Sequence, residues 1–260
     1  MLPWHNSERM DPDTDIGGSH RKFPETNHSA VLAARSEDQQ VRRRAFETIL
    51  ASYWKPAYKY IRIKWQFTNE DAKDLTQDFF ANAFEKNHFA AYDAHKASFQ
   101  TFFRTCLDGF VANQRKAASR LKRGGNAAHF PLDFISAEDE LALQTAGSSV
   151  SPEEYFHREW VRNLFTLAIE TLRRRYDENG RSVSFQLFEC YDLADDDSEA
   201  KPSYASLAKK FALDSSAVNN YLAATRRDFR KIVLEKLREI TATEEEFRRE
   251  ARALLGVETK

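Results

Sequence analysis

Apolar side chains recur every three or four residues over most of this chain, which is the spacing of an amphipathic α-helix. Residues 37–63 show the pattern clearly, since one helical face there carries Phe46, Ile49, Leu50, Tyr53 and Trp54. Pro56 lies inside this pattern, and because proline has no backbone N–H to donate, we expect a break or kink there. No stretch alternates apolar and polar residues convincingly as a strand does, so the predicted fold class is all-α.

Residues that cap helices mark where several of the predicted helices begin. Thr68 or Asn69 precedes one helix, and Ser151 opens another with a proline at the first helical position. Thr243 has a glutamate three residues later, which is the spacing of a capping box, and so predicts the start of a last helix. These starts agree with the helices that the apolar spacing predicts.

Changes in composition divide the chain into five segments. The first residues are polar, with Pro, Gly and Ser, and we expect them to be mostly disordered. A later stretch rich in Gly, Ala and Ser predicts a flexible linker between two small helical domains. The predicted segments are a disordered start (1–35), a helical domain (36–123), the linker (124–151), a second helical domain (152–240) and a C-terminal helical extension (241–260).

Composition narrows the class of protein. Charged residues make up 30% of the chain and apolar residues 42%, which is typical of a soluble globular protein. The two cysteines, Cys106 and Cys190, lie among apolar or aromatic neighbours outside any CxxC motif, so we expect reduced thiols and a cytoplasmic location. We find no apolar run long enough for a membrane span and no signal-peptide pattern in the first residues.

One predicted helix carries an acidic face in the stretch DAKDLTQDFF, residues 71–80. The acidic stripe and its neighbour are Asp71, Asp74, Asp78 and Gln77, and the apolar stripe is Ala72, Leu75 and Phe79. Three carboxylates at helical spacing suit a metal site or a docking surface. No two histidines stand four residues apart, and no phosphate-binding glycine loop or G-x-S-x-G turn occurs, so we expect no enzyme, metal or other cofactor.

A basic and aromatic helix is predicted from about residue 98 to 120. No acidic residue occurs between Gly109 and Phe130, whereas the basic residues there are Arg115, Lys116, Arg120, Lys122 and Arg123. Cations beside aromatic rings suit a surface that holds phosphates and stacks on unpaired bases. Helical spacing puts most of the phenylalanines in a buried stripe and leaves Phe102 as the exposed ring. The alternative is an ordinary core with a solvated helix end.

The segment SYASLAKKFALDSSAVNNY, residues 203–221, fits a helix-turn-helix. Ala212 and Leu213 form the turn, and Asp214 or Ser215 caps the second helix. In such a unit the second helix enters the DNA major groove, and the side chains at its start contact base edges. The candidate contacts are Ser215, Ser216, Asn219 and Asn220 at the bases and Arg226, Arg227 and Arg230 at the phosphates. An ordinary helical hairpin with a solvated basic face is the alternative.

These motifs, in this order, resemble bacterial RNA polymerase sigma factors of the extracytoplasmic-function type. NEDAKDLTQDFFANAFEK is similar to the family's polymerase-docking helix, and KASFQTFFRTCLDGFVANQRKAASRLKRGG to the segment that melts and reads the upstream promoter element. The helix-turn-helix stretch resembles the unit that reads the element further upstream. FPETNHSAVLAAR, SYWKPAYKYIR and the KRGG run are similar to a subgroup with a long linker and an extended C-terminus.

The resemblance implies a protein that binds core RNA polymerase and promoter DNA and opens the promoter for transcription initiation. With the patterns above, it assigns polymerase binding to Asp71, Asp74, Leu75, Gln77 and Asp78, and promoter melting to Phe102, Asn113, Arg115, Lys116, Arg120, Lys122 and Arg123. An anti-sigma protein is a further candidate partner, and the linker is expected to thread the channels of the polymerase. The alternative is a helix-turn-helix transcription regulator that does not dock on polymerase.

Two pairs of residues depart from the family pattern. Gly109 and Asn113 stand where many relatives have an Asn-x-x-x-Asp pattern, which leaves open the identity of the base captured there. Ala223 and Ala224 stand where many relatives carry basic residues, so we expect fewer phosphate contacts and a flatter salt dependence of DNA binding.

An acidic stretch lies inside the predicted DNA-binding half, beside a basic helix. Its six carboxylates belong to Glu189, Asp192, Asp195, Asp196, Asp197 and Glu199. Carboxylates close to phosphate-binding cations compete with DNA for them. We therefore hypothesise that this stretch restrains DNA binding until a partner displaces it.

Overall fold

The computed structural model describes residues 29–118, 130–144, 150–194 and 202–256. Within these ranges the chain forms α-helices and one short 3₁₀ helix but no strand, which confirms the all-α fold class. The helices are α1 (Ala30–Ala33), α2 (Gln39–Lys64), α3 (Asn69–Glu85), α4 (Phe99–Ala118), α5 (Phe134–Gln144), α6 (Pro152–Glu178), α7 (Ser182–Asp192), α8 (Tyr204–Phe211), α9 (Ser215–Glu239) and α10 (Glu244–Leu255). The 3₁₀ helix, His88–Ala91, lies between α3 and α4.

Three predicted helix starts are confirmed together with their capping residues. Thr68, rather than Asn69, caps α3 and accepts a hydrogen bond at 3.2 Å from the amide three residues later. Ser151 does the same for α6 at 3.1 Å, and Thr243 for α10 at 3.1 Å. Each cap satisfies a backbone N–H that the first turn of a helix leaves unpaired, which typically stabilises a helix by about 1 kcal/mol.

Helix α2 continues through Pro56, so of the expected break or kink the break does not occur. Proline has no N–H, which leaves the carbonyl of Ser52 without its helical partner. The Asn163 side chain of α6 supplies a replacement, because its Nδ2 donates to the carbonyl oxygens of Ser52 at 3.0 Å and of Ala51 at 2.9 Å. Asn163 is buried, so water does not take its place. A contact from a helix distant in sequence thus stabilises α2 at its proline.

We expect Asn163→Leu to lower the free energy of unfolding by about 1–3 kcal/mol, because it leaves a buried carbonyl unpaired. In a Pro56→Ala background the regained N–H pairs with the Ser52 carbonyl, and the loss should shrink. Urea unfolding of the two single variants and the double variant measures this coupling. Equal losses in both backgrounds would contradict the role given to Asn163.

One aromatic core joins helices from both halves of the chain. The ring centroid of Tyr53 on α2 lies 4.5 Å from that of Phe103 on α4 and 6.4 Å from that of Trp160 on α6. Phe156 of α6 lies 6.1 Å from Phe103. The predicted arrangement of two separate domains is therefore not confirmed, because described residues of both predicted domains contribute to this core.

A buried ion-pair cluster joins α2 to α5 and α6. Lys59 is fully buried and donates to Glu159 at 2.6 Å and to Glu140 at 2.7 Å. Glu140 also accepts from Lys55 at 2.9 Å, and Arg162 pairs with Glu159. Burial raises the pKa of Glu140, but hydrogen bonds from the two lysines outweigh it and bring the pKa below its ordinary value. Each charge of the cluster thus has an opposite charge beside it, which a buried charge needs.

Helix α5 lies inside the segment that the sequence predicts as a flexible linker. Arg62 of α2 pairs with Glu138 of α5 at 2.5 Å, and the ring centroids of Phe134 and Tyr58 are 5.1 Å apart. The residue pattern does not predict this helix, because the helix is short and is flanked by residues typical of linkers. Predictions for residues 1–28, 119–129, 145–149, 195–201 and 257–260 fall outside the described residues.

Candidate functional site

An acidic face runs along α3. Asp71 and Asp74 are exposed and Asp78 is half-buried. At 3.6 residues per turn the three carboxylates lie within about 60° of one another around the helix axis. Burial raises the pKa of Asp78, and the negative charge of Asp74 raises it further. Because these carboxylates repel one another, the face suits a cationic partner that would relieve the repulsion.

The apolar side of α3 attaches the helix to the core. Phe79 is buried and Leu75 is partly buried against the same core, as the spacing predicts. Gln77, assigned to polymerase binding, is engaged by the chain itself. Its Nε2 donates to the carbonyl oxygen of Phe130 at 2.7 Å, and its Oε1 accepts from the Phe130 amide at 2.9 Å. No local pattern shows this contact, since 53 residues separate the two positions.

Phe102 is not the exposed ring that helical spacing predicts. Its side chain is half-buried, with its ring centroid 5.3 Å from Tyr92 and 6.0 Å from Phe99. Tyr92 directly follows the 3₁₀ helix, and it covers a face of α4 that the sequence pattern predicts to be exposed. Phe110 is the aromatic side chain of α4 that borders an open cleft.

This cleft, of about 500 Å³, opens between the C-terminal end of α3 and the C-terminal half of α4. Its walls include Asn82, Lys86, Cys106, Phe110, Asn113 and Gln114. They combine an aromatic ring with amides that donate and accept hydrogen bonds, which are the groups that bind an unpaired nucleobase. Of the amide side chains that line the cleft, the sequence predicts Asn113 as a DNA contact but not Asn82 or Gln114. The spacing of Phe110, Asn113 and Gln114 along one helix face was the signal that could have found the last of these.

The last turns of α4 add positive charge beside this cleft. Arg115 and Lys116 are exposed and directly follow the cleft residues Asn113 and Gln114 in sequence. Cations next to this cleft suit the phosphates that flank a bound base. The other predicted contacts of this group, Arg120, Lys122 and Arg123, fall outside the described residues.

Helices α8 and α9 have the predicted helix-turn-helix arrangement. Ala212 ends α8 in the left-handed conformation, at a φ of 53°, and Asp214 caps α9 by accepting a hydrogen bond from the Ala217 amide at 2.6 Å. The inward-facing side chains of the unit are buried, namely Leu207, Ala208, Val218 and Leu222. The turn, the cap and the small core of this unit therefore agree with the sequence pattern.

One exposed stripe runs along α9. Its members are Ser216, Asn220, Ala223, Arg227 and Arg230, with the exposed Ser215 and Asn219 beside them. At 3.6 residues per turn the five members fall within about 80° around the helix axis. Arg230 lies about 21 Å from Ser216 along the helix axis. Residues at the two ends of the stripe can therefore contact the same partner surface only if the helix lies along that surface.

Arg226 is bound within the chain rather than exposed on this stripe. Its Nε and Nη2 donate to the two carboxylate oxygens of Asp192, each at 2.9 Å. The guanidinium also lies 5.3 Å from the ring centroid of Tyr191. Asp192 at the end of α7 therefore holds Arg226, which can contact a phosphate only after this ion pair opens, and its predicted role at phosphates stays a prediction. The acidic residues Asp195, Asp196, Asp197 and Glu199 fall outside the described residues.

Two features are absent from the part of the chain that the structure describes, a metal-binding group and a membrane span. There, no group of three or more His, Cys, Asp or Glu side chains could hold a metal ion. Within the same ranges no helix is both long enough and apolar enough to cross a membrane. Comparison with protein-family models, with curated proteins and with solved structures finds no match to this chain.

Proposed function

We propose that this chain is a sigma factor of the extracytoplasmic-function type, with core RNA polymerase and promoter DNA as its partners. The observation that carries the proposal is the exposed stripe of serine, asparagine and arginine on the second helix of a helix-turn-helix. An acidic helix face and an open cleft with an aromatic wall on the same molecule support it further. In this function the chain acts in the cytoplasm and does no covalent chemistry, which the polymerase performs.

The acidic face of α3 serves as the docking surface. Asp71 and Asp74 are exposed, and their positions on one side of the helix suit a basic helical surface of the partner. Complementary charge across an interface mainly speeds association and fixes the register of the two partners. Leu75 and Phe79 keep α3 rigid beneath this face, since both pack against the core of the chain.

The cleft between α3 and α4 receives a base from the strand that opens. Taking a base out of the stack costs a few kcal/mol, and a pocket that binds the unstacked base offsets this cost. The Phe110 ring offers a stacking surface, while the Asn113 and Gln114 amides can pair with the edge of the base. Arg115 and Lys116 hold the neighbouring phosphates.

The stripe on α9 reads duplex DNA, and its two ends should respond differently to substitution. We expect Asn220→Ala to reduce discrimination at one base position by about 1–3 kcal/mol. Arg230→Ala should weaken binding to all sequences alike and reduce the slope of log K against log salt by about 1. Fluorescence anisotropy with a promoter duplex and its base-substituted versions, at several salt concentrations, measures both. Arg43→Ala, on the distant helix α2, is the control.

The opposite pattern would contradict this assignment. If Asn220→Ala weakened binding equally for every duplex, the residue would not read a base. If Arg230→Ala left the salt dependence unchanged, it would not contact a phosphate.

Co-elution of the purified chain with core RNA polymerase in gel filtration tests the function itself. A sigma factor forms a stable complex with the polymerase in the absence of DNA, because docking precedes promoter recognition. A helix-turn-helix regulator that does not dock would bind DNA in the anisotropy assay but elute separately from the polymerase. That result would replace the present proposal by the regulator alternative.

A further inference from the structure

Residues 130–144, here called the strap, are bound along α2 and α3. The strap consists of Phe130 to Asp133 followed by helix α5. At its start, the Gln77 side chain pairs with both backbone groups of Phe130, at 2.7 Å and 2.9 Å. This is the pairing that one strand residue makes with its neighbour in a β-sheet, here made by a side-chain amide. Both the donor group and the acceptor group of Gln77 are thus engaged by the strap.

Ion pairs bind the rest of the strap to α2. The carboxylate of Glu138 accepts two hydrogen bonds from Arg62, at 2.5 Å and 3.1 Å. Hydrogen bonding to Arg62 lowers the pKa of Glu138, so the carboxylate is ionised at neutral pH. Glu140 is held in the same way by Lys55 and Lys59, at 2.9 Å and 2.7 Å. The Arg62 partner of Glu138 is 24% exposed, whereas the Lys59 partner of Glu140 is fully buried, so water reaches the Glu138 end more readily and that end is the easier one to release.

The strap lies at the edge of the acidic face. Gln77 is three residues from Asp74 and therefore about 60° from it around the helix axis. Gln77 also belongs to a stripe at four-residue spacing, on its side away from Asp74, with Lys73 and Asn69. The Tyr58 hydroxyl lies 2.9 Å from Asn69 Oδ1 and 2.5 Å from Glu138 Oε2, so it links this flank to the strap, and the charge of Lys73 acts on Glu138. The strap therefore covers this flank of α3 and leaves Asp71 and Asp74 open.

We propose that the strap and the partner of the acidic face compete for Gln77. This inference rests on the proposed function, in which α3 docks on core polymerase. A partner that binds at Asp74 and whose contact surface extends to Gln77 finds the Gln77 side chain already paired with the backbone of Phe130. It gains the Gln77 amide only by offering a donor and an acceptor that replace the N–H and C=O of Phe130. Docking is then complete only after Phe130 has left Gln77, so the strap lowers the apparent affinity of the chain for its partner.

Hydrogen exchange of the strap, alone and with core RNA polymerase, tests this competition. In a complex confirmed by gel filtration of the same sample, we expect peptides covering residues 130–136 to exchange faster than in the free chain. Peptides covering the middle of α2 should not, because that helix stays in the core. Slower or unchanged exchange over 130–136 in such a complex would overturn the inference while leaving the sigma proposal in place. Absence of any complex would overturn both.

Affinity measurements give a second readout that does not depend on exchange. Glu138→Gln removes the ion pair with Arg62, frees the strap more often, and should lower the apparent Kd for core polymerase about three- to tenfold. Asp139→Asn removes one charge from the adjacent, exposed position of the same helix and should leave the Kd unchanged. Thermal unfolding confirms that both variants are folded. If Glu138→Gln weakened binding, the strap would belong to the docking surface instead of competing with it.

Discussion

Asp74→Lys is expected to weaken binding of the chain to core RNA polymerase by about 100-fold. The residue is exposed in the middle of the acidic face, with Asp71 and Asp78 on the same side of α3. Lysine there would place like charges against a basic partner surface, which costs several kcal/mol at an interface, and 100-fold corresponds to roughly 3 kcal/mol. The fold should be unaffected, since exposed substitutions change stability by about 0.5 kcal/mol or less.

Glu178→Lys is the matched control for this variant. It reverses an exposed carboxylate at the end of α6 and changes the net charge of the chain by the same amount. We expect it to bind polymerase as the wild type does in surface plasmon resonance at fixed salt concentration. Wild-type affinity of Asp74→Lys would contradict the docking assignment of α3. Equal weakening by both variants would show that only net charge matters.

Lys59→Met is expected to lower the free energy of unfolding by roughly 3–5 kcal/mol. Lys59 and Glu159 are both buried, and removing one partner of a buried ion pair leaves the other charge without its main compensation. Because α2, α5 and α6 all meet at this cluster, the loss should destabilise the whole helical core. At about 2–4 °C per kcal/mol for a chain of this size, the melting temperature should fall by roughly 6–20 °C.

Two further variants separate the buried charge from the side-chain change. Lys96→Met removes an exposed lysine that pairs loosely with Asp93 at 3.6 Å, and it should cost less than about 1 kcal/mol. Lys59→Met combined with Glu159→Gln removes both charges and should be more stable than Lys59→Met alone. If Lys59→Met cost as much in a Glu159→Gln background as in the wild type, Lys59 would contribute by packing rather than by its charge.

Features fixed by neighbouring residues could be predicted from the sequence. The helix-turn-helix is the best example, since its turn at Ala212 and its cap at Asp214 depend on interactions within a few residues. The caps at Ser151 and Thr243 follow the same rule. The acidic stripe of α3 was also predictable, because helical spacing alone puts its carboxylates on one side.

Features that depend on distant contacts could not be predicted. Helix α2 continues through Pro56 because Asn163, more than a hundred residues later, pairs with the carbonyl of Ser52, which proline leaves without a helical donor. Phe102 is covered by Tyr92 rather than exposed, and Asp192 binds the guanidinium of Arg226. In each case the spacing of residues correctly predicted a helix. A side chain from another helix or loop determined whether that helix continues or which of its groups are exposed.

Transcription in vitro tests the central claim most directly. The reaction contains core RNA polymerase, the purified chain and a library of genomic promoter fragments, and the transcripts are sequenced. We predict discrete start sites that depend on the chain, are lost with Asp74→Lys and shift in upstream sequence preference with Asn220→Ala. A chain that binds duplex DNA but yields no transcripts above those of core polymerase alone would contradict the account.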